Sequence, residues 1–293
     1  MKRFWTLMLA ALLTLSLSAC KAKEEAPPAQ SSDPAASTQT PEETPGKPAE
    51  LINLASVSSD AEKTEGRAPA EDYKLPETVT DMVDWEEKGG VALLAELEEA
   101  DAAFYAIEGK EFSPALIRWG ESLAEFDWAY ATPRAIPPRL WCFDFDDDGE
   151  EELVVDCYVA SGTGVSMSDL HVVEKAVDGT LTDHTFPRRV LMPALSGYLC
   201  LVKAGNTTYA NLGPEKVDIT EELQGTELDF KEYDLKTGAI LNFEKTEQGM
   251  ECRMAVRLEG EKEISYWYVA ELSADVLYQD GKFILDGFHL ESY

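Results

Sequence analysis

Residues 144–153 combine residue types and a spacing that suit one kind of chemistry, the binding of a hard cation. Carboxylates occupy positions one, three, five and nine of this loop, and Gly149 at position six permits a sharp bend. Alternate side chains then turn inward, and a backbone carbonyl at position seven adds another oxygen. The sequence therefore predicts a structural calcium site made by Asp144, Asp146, Asp148, Glu150 and Glu152, with Glu150 contributing its carbonyl.

The charge of this loop favours an occupied site, because four neighbouring carboxylates repel strongly without a cation between them. The alternative is an acidic, solvated hairpin turn, since Asp-Gly is favoured in turns for its own reasons. Magnesium fits less well because it usually keeps several waters. A cage closed by protein oxygens leaves no open position for a substrate, so we expect the cation to stabilise the fold.

The loop is flanked by segments that read as strands, Leu140–Phe143 and Leu153–Val155. Position twelve is Val155 where an EF-hand has a bidentate glutamate, and the flanks are not helical. This context resembles the calcium loops of FG-GAP and VCBS-type blades, and residues 158–172 also resemble uncharacterised lipoproteins of Gram-positive bacteria. The resemblance covers about residues 139–175 and implies a metal-stabilised turn with an exposed binding surface. One such loop does not predict a complete propeller.

Apart from Cys20, the chain has four cysteines, and an exported domain could join them in two disulfides. Cys142 and Cys157 lie on the strands that flank the acidic loop, so a cross-strand bond between them would leave Cys200 and Cys252 as the second pair. The alternative is four buried thiols. The spacing matches no zinc motif.

No catalytic motif stands out in the sequence. Of the histidines, His171 is expected near the acidic loop, where a strand histidine more often packs than binds a ligand. The glycine-rich residues 161–164 lack the lysine and following helix of a phosphate-binding loop. Two acidic residues in a cleft could still hydrolyse a glycan, so an envelope hydrolase remains the alternative function. The net charge of −31 argues against a nucleic-acid partner.

The amino terminus has the order of features of an export signal. Lys2 and Arg3 precede an apolar run from Phe4 to Leu17, which is too short to span a bilayer as a helix. It ends in Leu17-Ser18-Ala19-Cys20, which resembles the lipobox of bacterial lipoproteins. The resemblance implies removal of residues 1–19, acyl chains on Cys20 and anchoring to the extracytoplasmic face of the cell membrane.

The composition divides the rest of the chain into a tether and a folded domain. Residues 20–80 are rich in Pro, Ala, Ser and Glu and predict a disordered linker, because little apolar surface is available to bury. Residues 81–293 carry nearly all the aromatic side chains and predict the folded domain. Residues 51–57 could form a docking strand, but the composition of the segment favours a linker.

The folded domain is predicted to be α+β, with an N-terminal helical pair followed by a mainly antiparallel β-sheet. Thr80 is expected to cap a short helix that ends at Lys88-Gly89-Gly90, and apolar residues at helical spacing predict further helices up to residue 130. From residue 139 onward, short β-branched and aromatic runs separated by turns predict strands. We therefore expect a calcium-stabilised surface lipoprotein that binds a protein or a glycan.

Overall fold

The computed structural model describes residues 54–107, 114–130, 134–224, 233–260 and 267–293. The predicted signal peptide and Cys20 lie outside these ranges. Two helices are described, α1 (Met82–Lys88) and α2 (Arg188–Ser196), with a 3-10 turn at Glu98–Ala100. The strands, in chain order, are β1 (Val57–Asp60), β2 (Glu62–Glu65), β3 (Ala92–Leu97), β4 (Ala102–Ala106), β5 (Ala115–Trp119), β6 (Ser122–Phe126), β7 (Arg139–Phe143), β8 (Glu152–Gly162), β9 (Val165–Lys175), β10 (Leu181–Thr185), β11 (Leu199–Ala204), β12 (Thr207–Leu212), β13 (Glu215–Asp218), β14 (Tyr233–Lys245), β15 (Met250–Gly260), β16 (Tyr268–Gln279) and β17 (Lys282–Ser292).

The largest sheet has ten strands, with the order β1-β17-β16-β15-β14-β9-β10-β2 and with β8 and β7 attached to the other edge of β9. All its pairs are antiparallel except the short contact between β14 and β9. Strands β1 and β2 are separated by Ala61 alone, whose N–H donates to the carbonyl of Gly281 at 2.9 Å. Strand β1 pairs with β17 at one end of this order, and β2 pairs with β10 at the other end. The two end strands of the sheet are therefore neighbours in the chain.

Strand β8 separates two apolar cores. Leu153, Val155 and Cys157 pack with the four-stranded sheet β3-β4-β5-β6, whereas Val154 packs in the main core on the opposite face. Both faces of this strand are therefore covered, which explains its continuous apolar run. The acidic loop begins where β7 ends and finishes where β8 begins, so its ends are fixed by two packed strands.

The prediction of an N-terminal helical pair was wrong, and the fold class is mostly β rather than α+β. Helix α1 forms near the predicted place, with Asp81 as its N-cap and Gly89 as its C-cap. The apolar segments that follow α1 form strands β3 to β6. Every residue of β4 is buried, with Phe104 in one core cluster and Tyr105 in another. A strand buried on both faces gives an uninterrupted apolar run, which periodicity does not distinguish from a buried helix.

The folded part of the chain begins earlier than the predicted boundary at residue 80. Strands β1 and β2 belong to the main sheet, and the N–H of Arg67 donates to the carbonyl of Glu125 at 3.0 Å. All four residues of β2 are exposed, so this strand is held by main-chain hydrogen bonds rather than by apolar burial. Amino-acid composition indicates only how much apolar surface a segment can bury, so it gave no sign of a strand held by main-chain hydrogen bonds.

Most strands predicted from residue 139 onward coincide with observed strands, whereas α2 was not predicted. This helix begins after Pro187 and contains Pro193, and prolines at this spacing usually indicate loops. Among the described residues, neither helix has the length and apolar character needed to cross a membrane.

Candidate functional site

The acidic loop, residues 144–152, connects β7 to β8 and is shaped by two residues with positive φ. Asp147 has φ of 61° and Gly149 has φ of 95°. The conformation aims backbone N–H groups at the loop carboxylates. Asp148 N donates to Asp144 Oδ1 at 3.1 Å and to Asp146 Oδ1 at 3.2 Å, and Gly149 N donates to Asp144 Oδ2 at 3.1 Å.

Three of the predicted ligand carboxylates meet at the inner side of the loop. Oxygen atoms of Asp144, Asp146 and Glu152 all lie within 4.8 Å of one another. Glu152 is 4 % exposed, and its Oε2 accepts a hydrogen bond from Phe145 N at 2.7 Å. Phe145 is itself buried in the main core, so its side chain attaches the loop to that core. We call these three residues the carboxylate triad.

The carboxylate triad is electrostatically strained in the absence of a cation. Burial raises the pKa of Glu152 to about 7, and the charges of Asp146, Asp148 and Asp144 add to the effect of burial. The hydrogen bond from Phe145 opposes this shift. Burial also raises the pKa of Asp146, with further contributions from Asp148 and Asp144. A bound cation would relieve both the burial and the repulsion of these charges.

The other two predicted ligands are placed differently. Asp148 lies outside the carboxylate triad, and its Oδ1 accepts a hydrogen bond from Glu150 N at 2.8 Å. The side chain of Glu150 is exposed, as expected of a residue predicted to contribute only its carbonyl. The structure therefore brings together Asp144, Asp146 and Glu152 but not Asp148.

The donor set of the carboxylate triad fits a hard cation. Carboxylate oxygens are the ligands that calcium prefers, and three carboxylates supply up to six of the six to eight oxygens that it takes. The described residues place no cysteine or histidine in this group, which makes a zinc or copper site a poor match.

The carboxylate triad opens into a cleft of about 1100 Å³, here called the acidic cleft. Its lining includes two lysines, one histidine and eleven acidic residues: Asp60, Glu98, Glu99, Asp101, Asp146, Asp148, Glu150, Glu151, Glu152, Glu174 and Asp280. The excess of carboxylates gives the cleft a strongly negative field, because low-dielectric walls focus charges of one sign. The cleft therefore suits a cation or a cationic group on a larger ligand.

Glu174 and His184 are cleft residues that the sequence did not single out. The Nε2 of His184 lies 3.3 Å from Glu174 Oε2, and Tyr278 Oη donates to Glu174 Oε1 at 2.5 Å. His184 is buried, and neither of its ring nitrogens has a hydrogen-bond partner of good geometry among the described residues. Burial lowers the pKa of His184, while Glu174 opposes that shift.

A usable signal for this pair existed in the sequence. The turn at Asp178-Gly179 joins β9 to β10 and sets a register in which Glu174 lies opposite Thr182. His184 follows two residues later and so shares a face with Glu174. His171, the histidine expected near the loop, is a buried packing residue whose Nδ1 lies 3.1 Å from Asp183 Oδ2, and the histidine that lines the cleft is His184.

The four cysteines are free thiols in the structure, so the predicted disulfides are not formed. Cys142 lies opposite Leu153, and Cys157 is four residues further along β8. That separation is about 13 Å along the strand, beyond the roughly 7 Å that a disulfide allows between Cα atoms. Burial raises the pKa of Cys142 and of Cys252 to about 12, which makes both thiols unreactive near neutral pH.

No protein-family model, curated protein or solved structure matches this chain.

Proposed function

We propose that this chain is a lipid-anchored extracytoplasmic binding module whose acidic loop holds a structural calcium ion. The observation that carries the proposal is the convergence of Asp144, Asp146 and Glu152 within 4.8 Å on one strand-anchored loop. Anchoring through Cys20 and removal of residues 1–19 rest on the amino-terminal motif alone. The partner is a protein or a glycan at the cell surface that offers a cationic group to the acidic cleft.

A bound calcium ion would reduce the repulsion between the carboxylates of the acidic loop. Without a cation, Glu152 is driven toward its protonated form, and the loop carboxylates depend on a few backbone N–H groups. A calcium ion would offset two of the three negative charges of the carboxylate triad, while the outer acids of the cleft remain charged. The outer acids would then face a partner beside a loop held by coordination as well as by hydrogen bonds.

A thermal melt of the full chain in a non-ionic detergent tests the calcium site. Calcium at a hundredfold excess over its Kd is expected to raise the free energy of unfolding by about 2.7 kcal/mol, because it binds only the folded state. Asp146→Asn should abolish this response. Asp147→Asn is the matched control, since it removes the same charge from an exposed position whose positive φ asparagine tolerates.

The proposal is contradicted if neither calcium nor chelator changes the melting temperature of the wild-type protein. The loop would then be an acidic solvated turn. An equal response to magnesium would retain a cation site and remove its calcium preference. If Asp147→Asn lost the response as completely as Asp146→Asn, loop charge rather than coordination would explain it.

An envelope hydrolase is the second candidate, favoured by the pKa of Glu152 near 7 and by Glu174 in the same cleft. A carboxyl group that is partly protonated at neutral pH can act as a general acid beside an ionised carboxylate. Incubation of the full chain with cell-wall glycan, with calcium or with chelator, separates the two functions. Turnover that Glu174→Gln abolishes while the calcium response persists would favour the hydrolase.

A further inference from the structure

A second concave surface carries the opposite charge from the acidic cleft. It has a volume of about 580 Å³ and is lined by four cationic side chains together with apolar ones such as Met167 and Met192. The cations are Arg188, Arg189, Lys236 and Arg257. We call it the basic pocket. In a chain with a net charge of −31, gathering four cations into one concavity is an arrangement that solubility does not require.

Two of the four cations have their own counter-ions. Arg188 pairs with Asp169, and Arg257 Nη2 lies 2.7 Å from Glu259 Oε1. Arg189 and Lys236 have no ion pair among the described residues. The lining and its paired acids therefore leave a local charge of about +2.

The strand register concentrates this charge further. Lys236 on β14 lies directly opposite Arg257 on β15. Like charges directly opposite each other on adjacent strands destabilise a sheet, and Glu259 offsets only one of these two charges, so an anion in the pocket would relieve the remaining repulsion. The first turn of α2 carries Arg188 and Arg189, so the partial positive charge of its backbone N–H groups adds to the same field.

The pocket is rigid where the helix meets the sheet. Thr237 N donates to Ser196 Oγ at 3.0 Å, and Thr237 Oγ1 donates to Met192 O at 3.1 Å. Both hydroxyl-bearing residues are buried, so these hydrogen bonds lock α2 onto β14. The next residue, Gly238, lies so close to the ring of Tyr268 that a Cβ would be 2.3 Å from Cε1. The cations are therefore presented from fixed elements.

We propose that the basic pocket binds a phosphate group carried on an apolar body. A phosphate monoester carries about −1.5 to −2 charges at pH 7, which matches the unbalanced charge of the lining. Guanidinium groups bind phosphate oxygens in a bidentate manner, and Lys236 supplies a further point charge. Met167 and Met192 offer adaptable apolar contact for the rest of the ligand. The volume lies within the range of small-molecule sites.

The test is a titration of the full chain in a non-ionic maltoside detergent with octyl phosphate, octanoate, inorganic phosphate and dihexanoyl phosphatidic acid. Octyl phosphate is expected to bind saturably and at least tenfold more tightly than octanoate or inorganic phosphate. Lys236→Gln and Arg189→Gln should each weaken it about tenfold. Lys216→Gln is the matched control, because Lys216 lies on β13, over the ring of Tyr209 on β12, and outside the pocket.

The arms of the titration also identify the source of the phosphate. Tighter binding of dihexanoyl phosphatidic acid than of octyl phosphate supports a lipid headgroup, and the reverse order supports a soluble phosphate ester. The proposal is overturned if octyl phosphate binds no better than octanoate, or if Lys216→Gln weakens binding as much as Lys236→Gln. Neither result bears on the calcium site, since the two sites share no residue.

Discussion

The acidic cleft and the basic pocket differ in how their charges are balanced. At the acidic loop, three carboxylates converge within 4.8 Å, and their hydrogen-bond donors among the described residues are backbone N–H groups. In the basic pocket, cations from α2, β14 and β15 are gathered, and two of the four keep a carboxylate partner. The acidic loop therefore depends on a proton or a cation from solution, whereas the protein itself balances two of the four charges of the basic pocket. Changes of charge at the loop should therefore have the larger effects on stability.

Glu152→Gln should give the largest effect, a stabilisation of about 3 kcal/mol at pH 8 in chelator. The folded-state pKa of Glu152 is raised from 4.5 to about 7, so its protonated form stabilises the fold below about pH 4.5. That stabilisation is lost as the pH rises through 7. Glutamine stays neutral and keeps an acceptor for Phe145 N, so it should retain the stability at high pH and abolish the calcium response.

Chemical denaturation at pH 4.5 and at pH 8 measures this difference. Glu150→Gln provides the control, because that side chain is exposed and lies outside the carboxylate triad. The difference in the free energy of unfolding between Glu152→Gln and wild type should be larger at pH 8 than at pH 4.5. An equal difference at both pH values would show that titration of Glu152 is not its cause.

Gly238→Ala should destabilise the protein by about 2 kcal/mol, because a methyl group there overlaps the ring of Tyr268. It should also weaken octyl phosphate binding, since Gly238 lines the basic pocket. Gly149→Ala is the matched change in the acidic loop. Nothing lies within 4 Å of its added Cβ, but φ of 95° is unfavourable for alanine, so about 1 kcal/mol is expected.

Denaturant midpoints of the two glycine variants, with and without calcium, test that contrast. The loss in Gly149→Ala should be recovered in part by calcium, whereas the loss in Gly238→Ala should not. A calcium-dependent recovery of Gly238→Ala would show that the two regions are coupled.

Glu174→Gln should weaken calcium binding by about 1 kcal/mol, or roughly fivefold, because the charge of Glu174 acts on Asp146 within the cleft. Calorimetric titration of calcium measures it. Asp280→Asn is the control, since Asp280 lines the same cleft and tolerates asparagine at its positive φ. Equal losses in both variants would mean that calcium responds to the total charge of the cleft rather than to Glu174.

Lys236→Gln should give the smallest effect, a stabilisation of less than about 1 kcal/mol in the absence of phosphate. The gain comes from removing the like-charge pair with Arg257, and it should shrink in high salt. Thermal melts in low and high salt measure it, with Lys216→Gln for comparison. A destabilised Lys236→Gln would show that Lys236 makes a favourable contact that outweighs the repulsion.

The part of the fold that could be predicted is the part held by local pattern. The strands after residue 139 alternate in burial or are bounded by turns such as Asp178-Gly179, and most of them appear as expected. The strands β3 to β6 were missed because burial on both faces removes alternation. Strands β1 and β2 were missed because main-chain pairing at the edge of a sheet leaves no apolar signature.

The sequence by itself determined that residues 144–152 form an acidic turn, because alternate carboxylates around Gly149 occur within nine residues. The tertiary structure selected Asp144, Asp146 and Glu152 from that set and left Asp148 out, since strands β7 and β8 and the buried Phe145 fix the loop. Only the tertiary structure decided which residues surround it, as with Glu174 and His184, and only it created the basic pocket. The cations there come from segments about seventy residues apart in the chain, brought together by the register of β14 with β15 and by the packing of α2. Such contacts follow from long-range packing, which no local pattern records.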